Sequence, residues 1–179
     1  MDPKYAVLLA VRGEEHGELR AKTLLQKKLY FAALLTGDDF GFRPHYYGPY
    51  SRQVADAADS LVSNGFLEER IDVFPGEANV FGEWRRHSYK LPEDGERLLQ
   101  SLADDIEVKA WRSALRKINK HSFGGDFNLL SIAAKVATIV HEFRLATVDE
   151  IETKAKEYGW KLTPSDISRV GEFLEYLGR

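Results

Sequence analysis

Residues 46–65 read Tyr46-Tyr47-Gly48-Pro49-Tyr50-Ser51, then Arg52-Gln53-Val54-Ala55-Asp56-Ala57-Ala58-Asp59-Ser60-Leu61-Val62-Ser63-Asn64-Gly65. An aromatic turn here runs straight into a helical pattern. Ser51 stands where an N-cap belongs, and Val54, Ala57, Ala58, Leu61 and Val62 recur on one face at helical spacing. Asn64-Gly65 supplies the stop. The opposite face carries Arg52 and Gln53, followed by Asp56, Asp59, Ser60 and Ser63. A helix with two carboxylates on its outward side is poorly matched to a phosphate-lined groove.

Toward the N-terminus, Asp2-Pro3 offers a cap and a first helical residue for the apolar run at 5–11, which Gly13 to Gly17 ends. Thr23-Leu24-Leu25-Gln26 has the form of a capping box. A helix is expected to start there, with Leu24, Leu25, Leu29, Ala32 and Leu35 on its buried stripe and Lys22, Gln26 and Lys27 on the other side. Gly37 stops it. Beyond Gly65, two strand-like runs at 66–74 and 80–91 are joined by Pro75-Gly76-Glu77-Ala78-Asn79, which has hairpin chemistry.

Three helices followed by a hairpin resemble a winged helix-turn-helix, with the third helix as reader and the hairpin as wing. The fold class expected is mainly α with a β-hairpin (α+β), as a winged-helix-like domain at 1–103 and a helical extension at 104–179. Before that extension begins, Pro92 opens a polar helix with Leu98, Leu99 and Leu102 inward. Val108, Trp111, Leu115 and Ile118 mark an amphipathic helix at 107–121, Gly124-Gly125 a linker or sharp bend, and 127–143 a mostly buried helix. Thr147-Val148-Asp149-Glu150 is a capping box with Gly159 as its stop, and Thr163-Pro164-Ser165-Asp166 starts a last helix that Gly178 ends. The last two helices form a helical hairpin, a surface for a homodimer or another partner.

Composition narrows the function. The 179 residues are 44% hydrophobic and 12% aromatic, with 25 Lys and Arg against 28 Asp and Glu, a net charge of −3. A folded chain is expected, and one that does not grip nucleic acid through bulk charge. With no cysteine, disulfides, thiolate catalysis and Cys-ligated metals are excluded. The longest apolar stretches are far short of a membrane span, and no signal-peptide pattern is present. A cytoplasmic location without membrane contact is expected.

Catalytic motifs are missing. His16, His45, His87, His121 and His141 never pair at i, i+3 or i+4, and Gly37 to Gly41 lacks the Lys-Ser/Thr ending of a phosphate loop. The pairs Asp38-Asp39 and Asp104-Asp105 sit at turns, where capping or solvation is their ordinary role. No catalytic residue, cofactor or metal is assigned. Two binding features stand out instead. The first is the aromatic loop, where Phe40, Phe42, His45, Tyr46, Tyr47 and Tyr50 surround Pro44, Gly48 and Pro49. Tyrosines on a stiff loop give large contact area at small entropic cost. The second is the face Lys109, Arg112, Arg116 and Lys120, with Lys117 alongside, which suits an acidic partner, protein or nucleic acid. On the hairpin, Arg85 and Arg86 beside Trp84 and His87 are placed to touch a phosphate backbone, against Glu68, Glu69, Asp72 and Glu77 nearby.

The motifs Lys22-Thr23-Leu24-Leu25-Gln26-Lys27-Lys28-Leu29-Tyr30-Phe31 and Tyr46-Tyr47-Gly48-Pro49-Tyr50-Ser51, followed by Gly65-Phe66-Leu67, resemble those of the YwgA-like proteins. They resemble more distantly the Panacea (SocA-like) antitoxin domain, over about residues 4–100. The first resemblance implies a mostly helical winged-helix protein. The second implies a non-catalytic protein that binds and neutralises a toxin, without a cofactor. The function expected is thus a regulatory protein-binding module, antitoxin-like, whose interface is Tyr46, Tyr47, Gly48, Pro49, Tyr50, Arg52 and Gln53. The alternative is a winged-helix DNA-binding regulator using Arg52, Gln53, Arg85 and Arg86.

Overall fold

Asp2 caps the first helix through its carboxylate, which accepts from the Lys4 amide at 2.8 Å, and Pro3 occupies the first helical position. The computed structural model describes residues 1–14, 17–75 and 83–178. Over these, α1 (Pro3–Arg12), β1 (Glu18–Arg20), α2 (Lys22–Thr36), β2 (Arg43–His45), β3 (Gly48–Tyr50) and α3 (Arg52–Ser63) come first. They are followed by β4 (Glu68–Pro75), β5 (Glu83–Lys90), α4 (Glu93–Ser101), α5 (Ile106–Lys120), α6 (Ser122–Gly125), α7 (Phe127–Phe143), α8 (Val148–Glu157) and α9 (Pro164–Leu177). The protein is mainly helical with two small antiparallel sheets, an α+β arrangement.

One sheet has the order β1-β5-β4, and β4 and β5 pair from Glu68↔Lys90 to Pro75↔Glu83. The other is the two-stranded ribbon β2-β3, in register Arg43↔Tyr50, Pro44↔Pro49 and His45↔Gly48. Neither β1 nor the ribbon is expected from the sequence, because three-residue strands give no measurable alternation. The turn expected at Pro75-Gly76-Glu77-Ala78-Asn79 falls, after Pro75, outside the described residues, as do the start of the return strand at Val80 and His16.

α2 departs most from expectation. It starts at Lys22, with Ala21 in the cap position at φ 91 and no side-chain cap bond, so Thr23 is inside the helix and no capping box forms. Nor is the helix amphipathic. Every residue from Leu25 to Ala33 is buried, including Gln26, Lys27 and Lys28, because α1 and α5 cover one side and α7 and β3 the other. Of the polar side chains expected on an outer face, Lys22 is exposed but Gln26 and Lys27 lie inside.

The segment at 122–126 is a sharp bend rather than a flexible joint. Phe123 is buried and stacks on Phe173 at 4.8 Å, and Gly124 lies so close to α5 that a Cβ there would sit 2.1 Å from the Ile118 carbonyl oxygen. Asp38, expected to be solvated or capping, accepts from Thr36 Oγ1 at 2.7 Å and Trp111 Nε1 at 2.6 Å, tying the end of α2 to α5. Phe40 stacks on the same indole at 5.1 Å.

The other caps form as the sequence indicates. Ser51 accepts from Val54 N at 3.1 Å, Asp105 from Val108 N at 3.0 Å, and both capping boxes, Thr147–Glu150 and Thr163–Asp166, are present. One cluster of buried apolar residues runs from Ala6 to Leu177, with α5 and α7 packed on α2, so the core crosses the boundary drawn at 103/104. Among the described residues no helix is long and apolar enough to cross a membrane.

Candidate functional site

The ribbon β2-β3 ends in the turn Tyr46-Tyr47, whose rings meet edge to face at 4.9 Å. Tyr46 is 64% exposed, Tyr47 61% and Tyr50 39%, whereas Gly48 and Pro49 are buried and Phe40 and Phe42 belong to the core. Three aromatic side chains are thus presented outward from a loop whose backbone is held down. The holding contacts come from far along the chain. Trp160 Nε1 donates to the carbonyls of His45 (3.1 Å) and Tyr46 (2.9 Å), and its indole stacks on Tyr158 at 4.9 Å. At the ribbon's other end the Gln26 amide donates to Ser51 O at 3.0 Å and accepts from Ser51 N at 2.8 Å. The Ser51 hydroxyl donates to Phe40 O at 2.5 Å, so the cap of α3 and the base of the ribbon share one buried network.

Gly48 completes this arrangement. Its φ of +107° lies in the region that favours glycine, and a Cβ there would meet Lys135 Cγ at 3.6 Å and Lys27 Cε at 3.8 Å. The ribbon therefore closes directly over two lysines. Lys27 is 1% exposed, with its ammonium 4.6 Å from the centre of the Phe127 ring. Burial first, and then the charge of Lys135, push its pKa down to about 8. Burial also lowers that of Lys135. Lys28, next along the helix, is equally buried but satisfied, by Glu14 and by Asn119 Oδ1 at 2.9 Å. Lys27 makes no hydrogen bond or ion pair among the described residues.

Beside the ribbon, α3 presents Arg52, Gln53, Asp56 and Asp59 to solvent. Asp59 lies 3.8 Å from Lys22, which also reaches Glu69 at 3.3 Å. Tyr50, Lys22, Asp59 and Tyr89 line one shallow cleft where α2, α3 and the ribbon meet. Tyr46, Tyr47 and Tyr50 are thus exposed on the ribbon and Arg52 and Gln53 on the first turn of the helix that follows it, with Gly48 and Pro49 as buried support.

The remaining cations lie elsewhere. Arg85 is exposed on β5, but Arg86 is half-buried and donates to Asp72 at 3.0 Å, so it is tied down within the hairpin. Asp72 has its pKa lowered by Arg86 and by Arg70. His87 meets Glu69 at 2.7 Å, and the side chain of Trp84 lies outside the described residues, as does Glu77. On α5, Lys109 pairs with Asp104 at 3.1 Å, while Arg112, Arg116 and Lys120 line a groove of about 460 Å³ together with Arg12 of α1. Lys117 leaves this face to donate to Leu177 O at 3.1 Å. Among the described residues no cluster of three or more His, Asp or Glu is arranged to hold a metal ion.

The sequence marks the tyrosines but not what fixes them. Trp160 belongs to a segment that reads only as a link between two helices, and Lys27 reads as a surface residue. No protein-family model matches the chain, and no curated protein matches it in sequence.

Proposed function

We propose that the chain is a non-enzymatic regulatory module that captures a protein partner, in the manner of an antitoxin, through Tyr46, Tyr47 and Tyr50 together with Arg52 and Gln53. The observation that carries this reading is the exposure of three tyrosines on a ribbon whose backbone is held by Trp160 and Gln26. Such a surface offers contact area already ordered before binding. The more distant resemblance to the Panacea antitoxin domain supports the same reading. The element order α1-β1-α2-α3-β4-β5 with sheet order β1-β5-β4 supports a winged-helix-like N-terminal part with the β2-β3 ribbon inserted before its third helix.

A winged-helix DNA-binding regulator is the second reading, favoured by that topology and by Arg52, Arg85 and the flank of Arg20 and Lys22. The acidic outward side of α3 and the pairing of Arg86 with Asp72 speak against it. One pair of experiments separates them. The variant Tyr47→Ala/Tyr50→Ala is expected to bind the partner at least about thirtyfold more weakly, since truncating a hot-spot tyrosine costs about 2 kcal/mol or more. Its thermal midpoint should be unchanged. Unaltered partner affinity removes the ribbon from the interface. A mobility shift on duplex DNA that falls steeply as salt rises would favour the second reading.

A further inference from the structure

Between the ribbon and the first turns of α2 lies a cavity of about 140 Å³, lined among others by Thr23, Lys27, His45, Tyr47, Gly48 and Tyr50. No carboxylate lines it. Lys27 enters with 1% of its surface exposed and with no hydrogen bond or ion pair among the described residues, and Thr23 likewise forms no hydrogen bond there. Lys135 stands behind it, its stem against the position a Gly48 Cβ would take and its ammonium 5.8 Å from the centre of the Trp160 ring. Lys27, its ammonium against an aromatic ring and without a counter-charge, gives the cavity an uncompensated positive group, and an interior cation is ordinarily paired. Lys28 shows what pairing looks like in the same helix, since Glu14 and Asn119 both accept from it.

From this geometry we infer that the cavity under the ribbon is a binding site for an oxyanion, a carboxylate or a phosphate group, with Lys27 as its principal ligand and Lys135 as a second positive charge. The cavity admits a group of a few heavy atoms. His45 and Tyr47 line it with groups able to donate further bonds, and Tyr50 lines it beside them. The inference deepens the reading of the ribbon as a partner face, since the group entering the cavity would belong to what the tyrosines hold. Lys27 is a binding residue and no covalent step is invoked.

The test follows the side-chain NMR signals of lysine labelled at Cε and Nζ. The probes are sodium acetate, inorganic phosphate, and acetyl-triglycine with a free carboxylate or as its amide, titrated at constant ionic strength against chloride. Saturable movement of the Lys27 signal is expected with acetate, phosphate or both, and Lys27→Met should weaken the binding at least about tenfold, the size expected for a buried charge-assisted bond. Tighter binding of the free-carboxylate peptide than of acetate, lost in the amide, assigns the group to a polypeptide end. Preference for phosphate assigns it to a phosphorylated ligand. Lys27→Met should also fold at least as stably as the wild type, because it removes an uncompensated charge. Absence of saturable movement with every probe overturns the inference, as does binding that Lys27→Met leaves intact. Anion binding that persists beside unchanged partner affinity in Tyr47→Ala/Tyr50→Ala would retain the site while removing the ribbon interface.

Discussion

Lys27 and Lys28 are neighbours in sequence, equally buried, and opposite in circumstance. Lys28 finds a carboxylate and an amide oxygen, whereas Lys27 finds an aromatic ring and another lysine. The pH dependence of stability should carry this difference. With the Lys27 pKa pushed from 10.5 down to about 8, the cost of burying its charge is fully present below pH 8, where folded and unfolded chains both hold the proton. Above pH 8 the folded state loses it first, so stability rises until the unfolded lysine also titrates. Lys135 acts in the same direction. Tyr30, pushed by burial up to about 12, and Tyr89, pushed up further, oppose the trend once unfolded tyrosine ionises near pH 10. Urea midpoints are therefore expected to give up to about 2 kcal/mol more stability for the wild type between pH 8 and 10 than for Lys27→Met. The same rise in both proteins would mean that Lys27 is not the group responsible.

At the scale of the element, the bend α6 gives the sharpest contrast between two adjacent residues. A methyl on Gly124 would press into the backbone of α5 at Ile118, while one on Gly125 would meet nothing within 4 Å. Gly124→Ala is expected to cost about 2–3 kcal/mol and Gly125→Ala to be neutral or slightly stabilising, read from urea denaturation. Equal effects would show that α6 does not rest on α5. What the sequence reveals about elements follows the same division between local and distant causes. Caps at Asp2, Ser51, Asp105, Thr147 and Thr163 are local chemistry and are legible from a few residues. The start of α2 is not, because the Thr23-to-Gln26 signature has a competitor. The Gln26 amide is engaged by Ser51, 25 positions away, and no local pattern announces that. The burial of α2 on every side is equally invisible, since amphipathic spacing presumes that one face meets water.

At the scale of the molecule, the candidate face is a product of the whole chain. Its tyrosines come from residues 46–50, its acidic helix from 52–63, and its clamp from Trp160. The lysine behind it is Lys135 of α7. Sequence reading locates the exposed groups because aromatic and charged residues in a turn stand out. It misses the supports because a tryptophan after Gly159 or a lysine within α7 has no feature that ties it to residue 46. The basic groove of Arg12, Arg112, Arg116 and Lys120 shares no lining residue with the cavity under the ribbon, so the two surfaces can be probed separately.

That separation permits a direct measurement. A photocrosslinking phenylalanine analogue placed at Tyr47, and in a second protein at Arg112, is irradiated in the cells that express the chain, and the adducts are resolved by mass. A single discrete polypeptide adduct from position 47, with nucleic acid absent from it and no matching band from position 112, is the predicted result. Nucleic acid crosslinked at position 47, or the polypeptide captured only from position 112, would contradict the assignment of the tyrosine ribbon as the face that holds a protein.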